Sequence, residues 1–171
     1  MARIVGSLPA GPTNEAQIAA FESDIGHPLP TAYRDFLLLH NGGRPEPDAF
    51  LLNTDCGEQE NILMCFFPMR ELAIGDVEVE KIEDLRIWPL HCAWNDLRRD
   101  LVDLYEIELD EVLLPIGTDG SSNSVCLALD GASAGRVVFL DHETAEYVEL
   151  ANGFDEFLAA LRPRERTDYA L

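Results

Sequence analysis

Apolar residues recur along this chain at two spacings, and the change from one to the other divides it. Up to residue 43 the spacing is helical. In "TNEAQIAAFESDIG" (13–26), Ile18, Phe21 and Ile25 recur three and four residues apart and share one face. Thr13 or Asn14 can cap this helix, because a short side-chain oxygen reaches the unpaired amides of the first turn. Gly26 is placed to end it in the left-handed conformation. A second helix is expected in "PLPTAYRDFLLLHNGG" (28–43). Pro30 stands where a missing N–H costs nothing, Tyr33, Phe36 and Leu37 share a face, and Asn41-Gly42-Gly43 stop the helix because glycine takes positive φ without a Cβ clash.

From Arg44 to Glu60 the pattern is that of a loop with Pro45 and Pro47 and a short strand at Phe50–Leu52. "NILMCFFP" (61–68) is apolar on both faces and reads as a central strand of a sheet. In "CAWNDLRRDLVDLYE" (92–106), Trp94, Leu97, Leu101 and Leu104 form the stripe of an amphipathic helix. Then the period shortens. "VLLPIG", "SVCLALD", "RVVFLD" and "EYVEL" are short β-branched runs separated by turn chemistry, "TDGSSN" and "DGASAG" among it. Their spacing suits consecutive antiparallel strands. "NGFDEFLAALR" (152–162) returns to helical period through Phe154, Phe157, Leu158 and Leu161, with Asn152 as the expected cap. Residues 1–12 read as an irregular arm and 162–171 as a polar, frayed tail. The element order predicts an α+β fold: a single domain at 13–161 with a largely antiparallel sheet and helices packed against it.

Composition narrows the function classes. A chain of 171 residues, 47% apolar, suits one domain with its own core. Its 32 acidic residues outnumber 12 basic ones, for a formal net charge of −20, and Lys81 is the lysine in an otherwise arginine-based set. Nucleic acid and anionic membranes are poor partners for such a chain, because binding them takes Lys and Arg to displace counterions. A cationic partner is drawn to it. The four cysteines, at 56, 65, 92 and 126, form no C-x-x-C pair and read as thiols of a reducing compartment. "MARIVGSLPAGP" lacks the apolar run of a secretion signal. With no stretch of ~18 apolar residues, a cytoplasmic location is expected.

Catalytic templates do not fit. G-x-S-x-G, the phosphate-binding G-x-x-x-x-G-K-[ST] and G-x-G-x-x-G are absent from the sequence. "DHETAE" (141–146) has Glu146 where a second zinc-binding histidine would stand, and it reads as a hairpin turn. "TDGSSNS" (118–124) lacks the alternating ligands and distal Glu of a calcium loop. His27, His40, His91 and His142 are scattered; the order of residues leaves open a Cys-His nucleophile pair, such as Cys92 with one of them, but nothing local supports it. His40, at a helix end, would be favoured as a cation by the helix dipole. No cofactor and no metal are expected. The acidic run 76–84 reads as a solvated face or a contact surface for a basic partner.

Taken in order, "FESDIGHPLP", "AYRDFLLLHNGG", "LLPIGTDGSSNSVCLALD", "GRVVFLDHE" and "FDEFLAAL" resemble the SMI1/KNR4 family of the SUKH superfamily, over about residues 15–161. The resemblance is carried by Glu22, Gly26, Leu29, Pro30, Tyr33, Phe36, Leu37, Asn41, Gly42, Gly43, Asp119 and Gly120, with the strand end from Val137 to His142. This chain departs from the family pattern at Ser122, where members often have glycine, and at Leu140, where they tend to an aromatic residue. The resemblance implies a curved sheet backed by helices, no catalysis, and binding of a protein partner. Bacterial members typically neutralise a cognate toxin, often a nuclease; a regulatory or scaffold module, as in fungal relatives, is the alternative. The expected contacts with a basic toxin surface are the loop carboxylates Asp55, Glu58, Glu60, Asp76, Glu78, Glu80, Asp119 and Asp141.

Overall fold

The first helix begins where its sequence provides a complete cap. The computed structural model describes residues 2–5, 12–54, 57–69, 88–100 and 112–165, and α1 spans Glu15–Ile25. Asn14 Oδ1 accepts the Gln17 amide at 3.0 Å, and the Gln17 side chain accepts the Asn14 amide at 3.1 Å. Two first-turn donors are thereby satisfied reciprocally. Gly26 ends α1 at φ 77° and donates its N–H to the Glu22 carbonyl.

α2 spans Thr31–His40 directly after Pro30. Glu22 holds the corner between the two helices: its carboxylate accepts the Leu29 amide at 2.7 Å and pairs with Arg34, which also pairs with Glu15. Burial pushes the Glu22 carboxyl up, but Arg34 and the Leu29 amide outweigh it and hold it below the usual carboxylate range. His40 is shifted down by burial, so its neutral form is favoured, against the expectation of a dipole-stabilised cation. Its ring lies 5.4 Å from that of Phe36.

Asn41-Gly42-Gly43 does more than stop α2. Asn41 adopts the left-handed conformation at φ 48°. Its side-chain Oδ1 accepts the Met69 amide at 2.8 Å and its Nδ2 donates to the Met69 carbonyl at 3.0 Å. Gly43 then exchanges two backbone hydrogen bonds with Phe66, at 3.2 and 2.8 Å. Between them Gly42 (φ 88°) lies so close to the next segment that a Cβ would stand 2.9 Å from Phe66 O and from Pro68 N.

The main sheet has five antiparallel strands in the order β5 (Cys65–Phe66), β6 (Leu113–Thr118), β7 (Ser124–Ala128), β8 (Val137–Leu140) and β9 (Tyr147–Ala151). It is not closed. Alternate residues bury on opposite faces, as period two requires. Val125, Leu127, Val137 and Phe139 join the large cluster with α1, α2 and α4 (Phe154–Ala160). Cys126, Ala128, Val138 and Leu140 form a second cluster, on which Leu97 of α3 (Leu90–Arg99) packs. At the centre of the large cluster Phe36, Phe66 and Phe154 meet edge-on at 4.9 to 5.5 Å, and Tyr33 meets Phe154 at 5.0 Å. The Tyr33 hydroxyl is buried with no hydrogen-bond partner among the described residues. The α+β architecture is thus as the periodicity predicts.

Several local expectations change. "NILMCFFP" is not one central strand. Its first two residues finish β4 (Gly57–Ile62), which pairs with β3 (Ala49–Thr54) as a separate hairpin, and Cys65–Phe66 is the edge strand of the five. It reads as central because Gly43 covers its outer side and both residues are 0% exposed. The N-terminal segment is not irregular throughout: β1 (Arg3–Val5) pairs with β2 (Arg44–Glu46), helped by an Arg3–Glu46 ion pair. Gly153 occupies the N-cap of α4; Asn152 lies one residue earlier and bonds to the Glu156 carboxylate. At the start of the C-terminal tail, Arg162 bridges Ala49 of β3. Leu101 and Leu104 lie outside the described residues.

Two outcomes test this account. Gly42→Ala adds a clash with backbone to a positive φ and should destabilise by roughly 2–4 kcal/mol, whereas Gly120→Ala, with nothing within 4 Å of its Cβ, should fall within about 0.5 kcal/mol; urea denaturation of both measures the contrast. Glu22→Gln should cost roughly 1–3 kcal/mol at neutral pH through the lost charged hydrogen bonds. Because the native Glu22 carboxyl binds a proton less readily than the unfolded one, its contribution is complete above the unfolded carboxyl range near pH 4.3. It is lost as pH falls through the native value, so the gap between wild type and variant should close in acid.

Candidate protein-interaction surface

Two turns and the end of β4 meet at one end of the five-stranded sheet because a buried carboxylate gathers them. Asp119 follows β6, is 2% exposed, and accepts the amides of Ser121 and Asn123 at 2.7 and 2.9 Å on Oδ1. Its Oδ2 accepts Asn123 Nδ2 at 2.9 Å and Asn61 Nδ2, from the end of β4, at 3.0 Å. Asn123 passes the link on: its Oδ1 accepts both the backbone amide of His142, at 3.1 Å, and His142 Nδ1, at 2.8 Å. A carbonyl oxygen can only accept, so Nδ1 carries the proton and Nε2 of the exposed imidazole remains available. Asp141 organises the neighbouring turn by accepting the amides of Glu143 and Thr144 at 2.8 and 3.0 Å. Burial raises the Asp141 carboxyl, and those amides outweigh it, leaving the group below its ordinary range and ionised at neutral pH.

The anticipated contact carboxylates therefore divide. Asp119 is removed from the contact set: it is an internal organiser with both oxygens occupied. Glu60 is drawn inward by Arg162 at 3.3 Å and by the Glu165 amide at 3.0 Å. Asp141 is half-buried in its turn. Glu58 is exposed and in no ion pair among the described residues. Asp55, Asp76, Glu78 and Glu80 lie outside the described residues, as does the whole acidic run 76–84. The structure adds what the residue order did not reveal: Asn61 and Asn123 as connectors, His142 as an oriented side chain, and Leu39, Met64 and Tyr147 as large apolar groups at 77%, 43% and 40% exposure.

The charges are arranged asymmetrically. Among the described residues, Arg3, Arg34, Arg99, Arg136, Arg162 and Arg164 are all tied into ion pairs with this chain's own carboxylates. Arg98 lies over the Trp94 ring, 5.4 Å from its centroid. By contrast Asp24, Asp35, Glu58, Glu143, Glu146 and Asp155 are exposed carboxylates without a basic partner among the described residues. Among the described residues these six carboxylates outnumber the two exposed arginines that form no ion pair, Arg44 and Arg98.

Chemistry of other kinds finds little to work with. His91 Nε2 lies 3.4 Å from Cys92 Sγ, so the pairing that the sequence left open does occur. Burial, and then Asp96, push the Cys92 thiol up, which disfavours the thiolate a nucleophile needs. Among the described residues no three His, Cys, Asp or Glu side chains converge as a metal site, and no helix is long and apolar enough to cross a membrane.

An open antiparallel sheet backed by helices, with a carboxylate-organised loop end, defines the class: a single-domain α+β protein. The chain belongs to the SMI1/KNR4 family (SUKH-1), whose family model matches residues 12–160. It is also 26% identical, over 163 residues, to the SPbeta prophage-derived uncharacterized protein YokK of Bacillus subtilis (strain 168), covering 91% of this chain and 78% of that protein.

The two departures from the family pattern now have physical meanings. Leu140 is 1% exposed and packs in the second cluster, so it is no surface residue. Ser122 sits at φ 69°, the left-handed region where glycine is at ease. That conformation costs an ordinary residue roughly 1–2 kcal/mol, while glycine loses about 0.4–1 kcal/mol through unfolded-state entropy. Ser122→Gly should therefore raise stability by up to ~1 kcal/mol, read as a higher melting temperature with the far-UV spectrum unchanged.

Proposed function

We propose that this protein is an immunity protein that binds a cognate toxin domain with a basic surface, such as a nuclease, and blocks it. The observation that carries this reading is the one-sided surface. In a member of the SMI1/KNR4 family, the described arginines are mostly consumed internally while carboxylates on loops and helices face outward unpaired. A nuclease holds its substrate with Lys and Arg in a cleft, and an anionic protein seated there excludes the substrate. Charge complementarity of this kind speeds encounter and sets register. The contact groups are Glu58, Glu143 and Glu146, with Asp141 and the sequence-anticipated Asp55, Asp76, Glu78 and Glu80. The reading involves no catalysis and no cofactor on this chain, and a cytoplasmic site of action, where a toxin must be met.

The test is rescue. Co-expression with the toxin-like product encoded beside it should restore growth, and the purified pair should form a stable complex. Steering by the anionic field predicts an association rate that falls at least roughly tenfold between low salt and ~0.5 M salt. Failure of rescue against every neighbouring toxin-like product would overturn the immunity reading, and an association rate indifferent to salt would overturn the electrostatic mechanism.

A further inference from the structure

The segment after the last helix is held in an unusual way. Among the described residues Leu161 is its last buried apolar one; Pro163, Arg164 and Glu165 are exposed. What holds 162–165 is a polar seat on the β3–β4 hairpin. The Ala49 amide donates to Arg162 O at 3.1 Å, and the Arg162 amide donates to Ala49 O at 2.9 Å. Arg164 grips Asp48 with two nitrogens, Nε at 2.9 Å and Nη2 at 2.7 Å. Glu60 accepts Arg162 Nη2 at 3.3 Å and the Glu165 amide at 3.0 and 3.1 Å. An extended, arginine-bearing segment has thus been added to the start of β3 by main-chain bonds and anchored through its charged side chains. Partner strands are captured by the same combination, and the planar guanidinium suits it because it meets a carboxylate with two bonds at once.

Two details set this seat apart from an ordinary surface contact. Asp48 is 7% exposed, so a nearly buried carboxylate relies on a guanidinium whose own side chain is 51% exposed. The Arg164 hydrogen bonds hold its carboxyl below the usual range against burial, with Arg44 adding to the effect. Second, the fit is incomplete: Arg162 Nε is buried with no acceptor among the described residues. The seat demands a cation, and the chain's own segment fills it imperfectly.

We infer that Asp48, Glu60 and the Ala49 end of β3 form a docking site for an extended arginine-bearing segment of a basic partner protein, and that Arg162–Glu165 occupies it in cis until displaced. The inference rests on the reading of this chain as a protein-binding domain and gives that partner a chemistry. A tethered segment acts at an effective concentration on the order of millimolar, so the cis occupant shields the seat from weak cationic competitors and yields to a partner that adds contacts elsewhere.

The test is a titration of the isotope-labelled full chain with the capped peptide Leu-Arg-Pro-Arg-Glu, up to ~5 mM, the scale of the tether. The Arg162→Ala/Arg164→Ala chain should show saturable shifts at the Ala49 and Glu60 amides, at least tenfold weaker when Asp48→Asn is added, while the wild type does not saturate. Absence of a response in the double variant, or an equal response with Asp48→Asn, overturns the proposal. A second measurement needs no variant. In the wild type, the Ala49 and Arg162 amides should exchange with solvent faster at high salt while Val125 and Val138 do not; exchange of all four together would mean that the segment leaves only on global unfolding and would sink the idea. Neither measurement involves a toxin. A failed rescue with a positive titration removes the immunity reading alone, and the reverse removes the seat alone.

Discussion

The fold depends on a side-chain amide doing the work of a backbone. Asn41 pairs with both polar groups of Met69, and Gly43 pairs with both of Phe66. Together they continue the hydrogen bonding of the sheet into the end of α2. The consequence is geometric: α2 cannot pivot, so Tyr33, Phe36 and Leu37 are pressed onto Phe66 and Phe154. Gly42 is the price of that closeness, since no side chain fits between the helix end and the next segment. An alanine-for-asparagine exchange at 41 would leave the Met69 groups to find other partners, which buried backbone seldom can.

A strongly acidic protein must also prevent its own carboxylates from opposing the fold. Here the ones that lie inside are given donors. Glu22 receives an amide and an arginine, Asp119 two amides and two side-chain amides, and Asp48 a two-pronged guanidinium. Each is a short-range solution. Backbone N–H groups stabilise a carboxylate without requiring a counter-ion, which matters in a chain with 12 basic residues against 32 acidic ones. The basic residues are nearly all arginine, and a planar fork serves two acceptors where an ammonium serves one point; Arg34 bridges Glu15 and Glu22 in this way.

How much of this was legible in the sequence follows from the range of the interactions. Ile18, Phe21 and Ile25, the caps Asn14 and Gly26, and the four C-terminal strands are set by neighbours within a few residues, and the spacing shows them. The role of Asn41 in holding Met69 spans 28 positions, and that of Arg164 on Asp48 spans 116; no local pattern encodes either. "NILMCFFP" has the pattern of a central strand because burial does not encode position: an edge strand capped by Gly43 is as apolar as a central one. Asp119 is the opposite case. A carboxylate in a Gly-Ser turn looks solvent-facing, and its inward orientation depends on Asn61, brought in from another hairpin. For the site, the abundance of negative charge was legible, and which carboxylates are spent internally was not.

The edges of the sheets complete the argument about recognition. An unpaired strand edge invites association with any other strand. In this protein β5 is covered by Gly43, and β9 carries Glu149 and pairs with β8 through a register shift, both of which blunt an edge. Non-specific pairing is discouraged at those two positions. At the start of β3 the protection is of another kind, since the covering segment is polar, arginine-bearing and part of the same chain. A cover held by charge discriminates in a way that a cover held by packing does not. It resists neutral strands, which cannot offset the exposure of Asp48, and it gives way to a segment bearing a guanidinium of its own. If the partner is basic, as proposed above, the chemistry that draws it from a distance is then the chemistry that fits at contact.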